Sequence, residues 1–416
     1  MSEKIKIFTL GDHPLSPSGV GTQSKYIIEG LLKTGKYEVV SFGGAIKHDK
    51  HDPQHTEEWK DDWIIWPVDG YGTPDQVRAM IHQQKPDILW FMTDPRFYGW
   101  LWEIEHEIRP HIPMVYYHVW DNYPYPQFNR SFYLSNDHVA CISKLTYDIV
   151  QTVAPEVKSS YIPHAVDENV FKPMEEDLIV QWRKEKNFDD KFVCFWNNRN
   201  ARRKQSGTLV YWFKEFLDKV GHDKATLIMH TDVKDIHGQD LEAIIHELGL
   251  TSGQVLFSQE KVETPHLAAM YNMADTTINI ADAEGFGLAT LESLSCGTPI
   301  LITMTGGLQD QITDGETWFG VGLEPCSKAI IGSQQVPYIY EDRVSKEDFL
   351  EGLHKLYNMT REERTELGRK AREWTQKTFN FQDFIESWDK LLTEIHDDLG
   401  SWDDRTAYVP YQLRTF

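Results

Sequence analysis

The sequence contains no long hydrophobic run. No apolar stretch in its 416 residues approaches the roughly 18 residues that a membrane-spanning helix needs. The amino end, Met1 to Lys6, has neither the apolar core nor the cleavage site of a signal peptide. We therefore expect no integral membrane segment and predict a cytoplasmic protein.

Cysteine is scarce and widely scattered. The four cysteines form no C-x-x-C pair, so the sequence indicates neither a disulfide framework nor a thiolate zinc site. Cysteines in such positions are typical small core hydrophobes. They are Cys141, Cys194, Cys296 and Cys326.

Positive charge is also in short supply. With 42 lysines and arginines against 64 aspartates and glutamates, the formal net charge is −22. Such a chain repels polyanions at long range, which argues against broad binding to nucleic acid or to an anionic membrane. Any bound anion must meet a local basic cluster. The one dense cluster in the sequence is "NNRNARRKQ", which contains Arg199, Arg202, Arg203 and Lys204.

The chain is too long for one core, since cores stop growing at about 250 to 300 residues. In the first part, β-rich runs alternate with amphipathic stretches, which predicts a parallel sheet covered by helices. The rhythm breaks at Ile162–Pro173, a stretch with two prolines that we predict as a linker. The predicted strands are Lys4–Leu10, Tyr37–Phe42, Trp63–Val68, Ile88–Met92, Met114–His118 and His138–Ile142, and the predicted helices include Gly19–Leu32, Pro74–Gln83 and Lys144–Thr152.

The same alternation restarts after the linker. We therefore predict an α/β protein with two doubly wound, Rossmann-like domains facing a central cleft: residues 1–168, joined by a carboxy-terminal helix and tail at 381–416, and residues 169–380. The aromatic tail Ala407–Phe416 is expected to pack on the first domain. The predicted strands are Phe192–Trp196, Thr226–His230, Val255–Phe257, Thr277–Ile280 and Pro299–Thr303. The predicted helices are Gly207–Leu217, Leu241–Leu248, Pro265–Tyr271, Leu288–Ser295, Lys346–Tyr357, Arg361–Thr378 and Phe381–Asp397.

Two acids flank a glycine-rich turn in "EGFGLATLESLSCGTPI", which follows a predicted buried strand. Glu284 lies at the strand's carboxyl end, and Glu292 lies about one turn into the next helix, leaning back toward its start. The turn opens a helix amino terminus, where free N–H groups favour phosphate or sugar oxygens. We predict that Glu292 reads a ribose diol and that Glu284 addresses a sugar hydroxyl or developing charge. The predicted backbone contacts are Gly285, Phe286, Gly287 and Leu288.

This segment resembles the E-x7-E signature of the retaining glycosyltransferases of family 4, which have the GT-B fold. The resemblance extends to "IPHAVDENVFKP", "MADTTINIADAEGFG" and "AREWTQKTFNFQDF". It departs from the family at Ala165, where glycine is usual. It implies a nucleotide-diphosphate sugar, UDP- or GDP-linked, as donor substrate, a hydroxyl acceptor and no further cofactor.

The basic cluster follows a predicted strand and precedes a helix, where Arg199 and Lys204 suit a diphosphate. The resemblance implies this role for both, although Lys204 must be chosen over Arg202 and Arg203. Gly19 and Gly21 lie in a glycine-rich loop that matches a dinucleotide fingerprint poorly, which disfavours a nicotinamide enzyme. In the family, the corresponding loop faces the donor phosphates and the acceptor.

His118 ends a predicted strand, where a lone histidine is as often a core residue as a functional one. The resemblance implies contact with the transferred sugar, in a positioning role. The loop from Trp120 to Phe128 is predicted as a stacking surface for a flat acceptor. His48, His51 and His55 are interpreted as solvated surface rather than as a metal site.

The sequence contains no Asp-x-Asp triplet of the kind that holds a divalent ion against a sugar diphosphate in the other major transferase fold. We therefore expect transfer without a metal. Two alternatives remain open. One is an epimerase or hydrolase of sugar nucleotides on the same fold, and the other is transfer to hydroxymethylated bases in DNA, where nucleic acid would be the acceptor.

Overall fold

The computed structural model of the chain describes residues 4–408. This part divides into two compact units, one made of residues 4–164, 332–339 and 382–408, the other of residues 165–331 and 340–381. The predicted boundaries follow residues 168 and 380, whereas the observed ones follow residues 164 and 381. No sequence signal predicts that residues 332–339 join the first unit, where Val336 is buried in the core.

The first unit is built on an eight-stranded sheet. Its strands are β1 (Ile5–Leu10), β2 (Tyr37–Gly43), β3 (Gln54–His55), β4 (Trp63–Pro67), β5 (Ile88–Thr93), β6 (Met114–His118), β7 (His138–Cys141) and β8 (Ser159–Tyr161). Their order is β3-β4-β2-β1-β5-β6-β7-β8. Neighbours are parallel except β3 and β4, which are antiparallel. The six predicted strands are confirmed, whereas β3 and β8, with two and three residues, are too short for a periodic signal.

Three helices of this unit begin where the sequence supplies a side chain that caps free N–H groups. Ser18, Thr73 and Ser143 each accept a hydrogen bond from the backbone three residues later. The three helices that follow these caps were predicted from their apolar spacing and are confirmed. The helices are α1 (Gly19–Lys33), α2 (Pro74–Gln84), α3 (Gly99–Glu103), α4 (Glu105–Ile108), α5 (Arg130–Leu134) and α6 (Lys144–Val153).

The second unit contains a six-stranded parallel sheet and a two-stranded ribbon. The sheet strands are β9 (Phe192–Asn197), β10 (Ala225–His230), β11 (Val255–Ser258), β12 (Thr276–Asn279), β13 (Ile300–Thr303) and β14 (Gly320–Leu323), and the ribbon strands are β15 (Ser327–Ile331) and β16 (Ile339–Arg343). The sheet order is β11-β10-β9-β12-β13-β14. The chain thus builds outward on one side of β9 and then returns to its other side with β12, which makes the β9/β12 boundary a topological switch point.

The helices of the second unit include seven α-helices within residues 165–381. They are α7 (Glu176–Glu185), α8 (Ser206–Val220), α9 (Leu241–Glu247), α10 (Thr264–Met273), α11 (Leu288–Ser295), α12 (Lys346–Asn358) and α13 (Arg361–Thr378). All but α7 were predicted. In the part of the chain that is described, no helix is long and apolar enough to cross a bilayer.

The chain returns to the first unit through α14 (Phe381–Leu399). Trp388 of this helix is fully buried and meets Trp90 and Tyr117 edge to face, at centroid distances of 5.7 and 4.7 Å. After the helix, Ser401 and Arg405 donate to carboxylates at the amino-terminal sheet edge. The predicted packing of the tail Ala407–Phe416 falls mostly on residues 409–416, which lie outside the described residues.

An aspartate placed immediately before a strand recurs in both sheets. In three places such a carboxylate accepts the backbone N–H of the neighbouring parallel strand, which satisfies a donor at the sheet edge. The pairs are Asp87 with Lys6 at 2.9 Å, Asp137 with Met114 at 2.9 Å and Asp275 with Val193 at 2.8 Å. Asp275 is also the acceptor for two arginines, Arg183 and Arg364.

We expect Asp275→Asn to lower the free energy of unfolding of the second unit by about 3 to 5 kcal/mol, the usual effect of breaking a buried ion pair. The side chains of Asp275, Arg183 and Arg364 are only 9%, 11% and 14% exposed, so two arginines would remain poorly compensated. Calorimetric thermal unfolding measures the effect. Asp218→Asn, which removes an exposed i,i+4 partner of Lys214, is the matched control and should cost about 1 kcal/mol or less. Equal shifts in the two variants would contradict the prediction.

Candidate active site

The glycine-rich turn and the basic cluster meet at the carboxyl ends of β9 and β12. These strands are neighbours, with Thr277 opposite Phe195, so the segments that leave them begin side by side. The segment after β9 carries the 3₁₀ turn Arg202–Lys204, and the segment after β12 carries Glu284. Open α/β sheets bind ligands at this kind of switch point.

Lys204 and Glu284 form an ion pair that is largely shielded from water. Lys204 Nζ donates to Glu284 Oε2, and the two side chains are 9% and 13% exposed. The same carboxylate oxygen accepts from Asn279 Nδ2 at 3.3 Å. Burial raises the pKa of Glu284, but the charges of Lys204 and Arg203 outweigh it, and the net pKa lies below its ordinary value. Glu284 is therefore a fixed carboxylate.

Backbone contacts hold the lysine turn against the end of β12. Asp282 N–H donates to the Arg203 carbonyl at 2.8 Å, and the Asp282 carboxylate accepts from Gln205 Nε2 at 2.7 Å. Burial raises the pKa of Asp282 to about 6, while Gln205 and Arg343 oppose the shift. The position of Lys204 is thus set by the fold on both sides of the turn.

The neighbouring arginines have other partners. Arg202 makes two hydrogen bonds to Glu341, at 2.9 and 2.5 Å, and Arg203 Nη1 donates to the Ala283 carbonyl at 2.7 Å. Of the three candidates that the sequence leaves open, Lys204 is the one paired with Glu284. Its placement agrees with the residue chosen from the resemblance, although its role toward a ligand stays a prediction.

Arg199 lies apart from this ion pair in its contacts. Its guanidinium is 62% exposed and makes a two-point contact with Asp235, at 2.6 and 3.2 Å. The Arg199 hydrogen bond holds the pKa of the Asp235 carboxylate below its ordinary value. A ligand phosphate would have to share the Arg199 guanidinium with Asp235. This competition is not predictable from the residues near Arg199 in the sequence.

Glu292 ends a short hydrogen-bond chain. Tyr271 OH donates to Glu292 Oε2 at 2.6 Å, and Asn197 Nδ2 at the end of β9 donates to the Tyr271 oxygen at 2.8 Å. Burial raises the pKa of Glu292 to about 7, and the Tyr271 hydrogen bond only partly opposes it. Within the described residues the other oxygen, Oε1, accepts no hydrogen bond, so it is free to accept one from a ligand.

The glycine-rich turn is locked to the loop after β13. Gly306 has φ +50°, and a Cβ there would come within 1.8 Å of the Glu284 carbonyl oxygen. The next residue, Gly307, donates its N–H to the same carbonyl at 3.0 Å, and a Cβ would lie 2.5 Å from the Gly285 oxygen. These glycines are required for the approach of the two loops. The loop after β13 continues into a 3₁₀ turn, Gly306–Asp310.

Buried side chains support the turn from below. Gln311 Nε2 donates to the Phe286 and Gly287 carbonyls at 2.7 and 3.1 Å, and Thr290 Oγ1 donates to Gly287 at 2.7 Å. Gly287 has φ +91°, which only glycine adopts freely, and Leu288 then begins α11. The Phe286 side chain is 3% exposed, so only its backbone is available to a ligand.

His118 lies in the core of the first unit. Its side chain has no exposure, a 3.0 Å hydrogen bond joins Nε2 and the Tyr133 hydroxyl, and the ring also packs against Tyr116. Burial lowers the pKa of His118 to about 3, so the imidazole is neutral. This is the environment of a core histidine, and the predicted contact with a transferred sugar stays a prediction.

The glycine-rich loop before α1 has an internal explanation. Ser18 Oγ accepts the Gly21 N–H at 2.9 Å and donates to Asp12 Oδ2 at 2.5 Å. A Cβ at Gly21 would lie 2.5 Å from Ser16 Oγ and 2.7 Å from the His13 oxygen. Gly21 therefore lets the loop fold against the helix. Gly19 is the first residue of α1, and its predicted role toward a ligand is untested.

The aromatic loop Trp120–Phe128 and the three histidines His48, His51 and His55 have different surroundings. Trp120 is buried, while Tyr123, Tyr125 and Phe128 are partly exposed. Tyr123 and Tyr125 stack at 5.8 Å, and the predicted acceptor surface stays a prediction. His48 Nε2 lies 2.7 Å from the Gly43 carbonyl oxygen, and His51 is paired with Asp69. Among residues 4–408 no group of three or more metal-ligating side chains is present.

Sequence reasoning missed the residues that orient the site, Asn197, Tyr271, Asn279, Thr290 and Gln311. The motif contains Thr290, but nothing in a single sequence distinguishes its hydroxyl from a solvent-facing one. Asn197 and Asn279 are the last residues of β9 and β12, and a polar residue ending a buried strand at a switch point is a signal that was available.

Residues 181–374 match the family model described as "Glycosyl transferases group 1". All of this stretch except residues 332–339 belongs to the second unit. The chain is 34% identical over 110 residues to D-inositol 3-phosphate glycosyltransferase of Paenarthrobacter aurescens, covering 26% of each chain. It therefore spans about a quarter of that curated relative.

Solved structures share the architecture over nearly the whole chain. Sucrose-phosphate synthase from Thermosynechococcus elongatus superposes with a TM-score of 0.74 at 16% identity, covering 95% of this chain and 100% of that one. Anabaena HepE in complex with UDP and glucose gives a TM-score of 0.69 at 14% identity, covering 94% and 100%. At such identity the likeness concerns the fold. With a parallel α/β sheet in each of its two units, this chain has the GT-B fold of these glycosyltransferases.

Proposed function

We propose that this protein is a retaining glycosyltransferase that moves a hexose-type sugar from a nucleotide-diphosphate sugar to a hydroxyl acceptor. The observation that carries the proposal is the shielded Lys204–Glu284 pair at the β9/β12 switch point, beside a helix amino terminus. The similarity of residues 181–374 to group 1 glycosyltransferases supports it. So does the fold shared with a solved structure that contains UDP and glucose.

The donor diphosphate would lie between Lys204 and the first turn of α11. Helix amino termini carry unpaired N–H groups and a partial positive charge, and Lys204 adds a full one. Arg199 is assigned the second cationic contact, for which it must leave or share Asp235. As the bond to the sugar breaks, negative charge grows on the diphosphate, and Lys204 and the helix terminus, which are already in place, would stabilise it without reorganising.

The two glutamates have different tasks because their environments differ. Glu284 stays ionised beside Lys204. Its carboxylate would accept a hydrogen bond from a sugar hydroxyl or stabilise the positive charge that develops on the sugar. Glu292 would accept hydrogen bonds from the ribose hydroxyls, while the hydrogen bond from Tyr271 holds its carboxylate in place. Hydroxyl donors favour the ionised form, so nucleotide binding would draw a proton off Glu292.

Retention and metal independence are parts of the proposal taken from the resemblance and from the cationic site. The departing phosphate would accept the proton of the acceptor hydroxyl on the face that it leaves, through an oxocarbenium-like state. The protein groups then supply orientation and electrostatic stabilisation rather than proton transfer. An epimerase would instead need a pair of side chains that transfers a proton on the reacting sugar, whereas the pKa of Glu284 is lowered by Lys204 and Arg203.

The acceptor is a hydroxyl compound of unassigned type. Incubation with a panel of UDP- and GDP-linked sugars, with and without soluble glycan and polyol acceptors, tests the proposed function by mass spectrometry. Hydroxymethylated DNA is included as a separate acceptor. Transfer of an intact sugar to an acceptor supports the proposal, while release of free sugar alone or isomerised donor would replace it by hydrolysis or epimerisation.

Nucleotide affinity should rise with pH across neutrality. Because the pKa of Glu292 is raised to about 7 and the bound ribose needs the carboxylate, protons compete with the nucleotide below pH 7. Between pH 6 and pH 8 we expect the nucleoside diphosphate to bind about ten-fold more tightly at the higher pH. Calorimetric titration at several pH values measures this.

Glu292→Gln is the matched control for this pH dependence. It should weaken binding by about 1.5 to 3 kcal/mol, the loss of a charge-assisted contact. It should also remove the part of the pH dependence that Glu292 causes, while the titration of the nucleotide's own phosphate is common to both proteins. An unchanged affinity, or the same pH profile in both proteins, would remove the ribose assignment.

Lys204→Ala and Arg199→Ala should reduce kcat more than they weaken donor binding, by about 10² to 10³ for a group aimed at developing charge. Steady-state kinetics with varied donor measures both quantities. Lys204→Arg keeps a cation and should recover part of the loss. Lys234→Ala, which removes an exposed partner of Glu242 close to Asp235 in sequence, is the control for Arg199. A change confined to KM would reduce the pair to a docking site.

Chelation should leave transfer unchanged, since cationic side chains and a helix terminus are assigned to the diphosphate. Activity is measured in EDTA and again after adding magnesium or manganese. A loss in EDTA that either metal restores would contradict metal-independent transfer and would place an ion at the diphosphate.

A further inference from the structure

The second unit contains a cavity of about 330 Å³ that the proposed reaction does not use. It lies among α7, α13 and the ends of α10 and α11. Asp275 and Pro299, which line it, stand directly before β12 and β13, so the cavity is at the amino-terminal edge of the sheet. Glu284 follows β12 and lies at the opposite edge. The volume is within the range of small-molecule sites.

Arginine dominates the charged lining of this cavity. Five arginines face two carboxylates, Asp275 and Glu176, in a protein whose net charge is −22. Such a local excess of positive charge can attract an anion even though the protein as a whole is acidic. The arginines are Arg183, Arg361, Arg364, Arg369 and Arg372.

Four of these arginines lie on α13, where other residues separate them in the sequence. Glutamates stand between Arg361 and Arg364 and between Arg364 and Arg369, and Lys370 and Ala371 stand between Arg369 and Arg372, so acidic residues interrupt most of the positive charge. Arg361, Arg364 and Arg372 are spaced by three and eight residues, and Arg369 lies eight after Arg361, which places them on one side of a helix. The dense basic cluster seen in the sequence is therefore not the only one in the folded chain.

Two of the five arginines are committed to the protein's own stability. Arg183 and Arg364 both donate to Asp275, and Arg364 also donates to the Leu356 and Met359 carbonyls. They would contribute charge to the cavity more than new hydrogen bonds. Asp275 is neutralised by them and does not cancel the remaining cations.

The other three arginines are not bound to Asp275. Arg372 donates only to backbone carbonyls, those of Phe171, Ser295 and Glu168, and pairs with no carboxylate of the described residues. Arg361 lies 3.6 Å from Glu176, too far for a hydrogen bond. Arg369 is exposed and holds two glutamates of its own helix, an arrangement that contributes little stability. Arg361 and Arg369 can therefore turn to a ligand at small cost, whereas Arg372 would give up backbone hydrogen bonds unless it contacts the ligand from its present position.

We propose that this arginine cavity binds a small phosphorylated molecule at a site separate from the donor site. A phosphomonoester carries nearly two negative charges and three acceptor oxygens, which suits several guanidinium forks at once. The apolar part of the lining, with Met174, Ile179 and Pro299, has room for a short carbon skeleton. Arg361, Arg369 and Arg372 are assigned to the phosphate.

Calorimetric titration tests this with inorganic phosphate and with a hexose monophosphate, at constant ionic strength balanced by chloride. The variant Arg361→Gln/Arg369→Gln should bind the hexose monophosphate about ten-fold more weakly, or worse, because two charge-assisted contacts are lost. Lys370→Gln/Lys377→Gln removes the same charge from exposed positions of the same helix and should bind like the unaltered protein. Lys204→Ala should also bind like it, since the two sites lie at opposite sheet edges.

For a second variant we expect the hexose monophosphate to bind more tightly. Glu176→Gln removes the carboxylate that competes for Arg361 and should tighten binding about two- to five-fold. If inorganic phosphate binds and the hexose monophosphate does not, the site is assigned to the free anion. If the hexose monophosphate binds more tightly than inorganic phosphate, the site is assigned to a phosphorylated metabolite. Equal affinities in the Arg361/Arg369 and Lys370/Lys377 variants, loss of binding in Lys204→Ala, or the same heat with chloride alone would each overturn the proposal.

Discussion

An ammonium and a carboxylate are buried together at the boundary between β9 and β12, and the local structure is arranged to keep them there. Removing such ions from water costs several kcal/mol each, which is recovered only when their geometry is fixed. Backbone hydrogen bonds from Asp282 to Arg203 and from Gly307 to Glu284 fix it on both sides. Lys204 is thereby held at the mouth of a helix, as a positive charge that needs no rearrangement when an anion arrives.

The short helix α11 connects this ion pair to the arginine cavity. Its amino end opens from Gly287 beside Glu284, and at its carboxyl end Arg372 donates to the Ser295 carbonyl. Both contacts follow the helix dipole, which favours anions at the amino end and cations at the carboxyl end. The eight residues of α11 thus have the proposed diphosphate at one end and an arginine of the second cavity at the other. An anion that draws Arg372 away would leave the Ser295 carbonyl unsatisfied.

The fold was predictable because it depends on local patterns. Strand and helix periods, the capping residues Ser18, Thr73 and Ser143, and glycines at forced turns are all readable along the chain. What escaped prediction involves residues far apart in sequence. Tyr271 reaches Glu292 across 21 positions, and Asp235 occupies Arg199 across 36. The raised pKa of Glu292 follows from burial, which no spacing reveals. The arginine cavity is the extreme case, since α7 begins at Glu176 and α13 only at Arg361, and their arginines meet only in the folded chain.

Charge decides between small and large anions as ligands of this chain. At physiological salt an exposed charge acts over about 8 Å, so each basic cluster is felt only nearby. A diphosphate or a phosphomonoester is small enough to lie within that range of a single basic cluster. A nucleic-acid duplex would also have to lie along surface whose average charge is strongly negative, because the net charge of the chain is −22. The same reasoning that favours two small phosphorylated ligands therefore disfavours DNA as the acceptor, and it does so independently of which sugar is transferred.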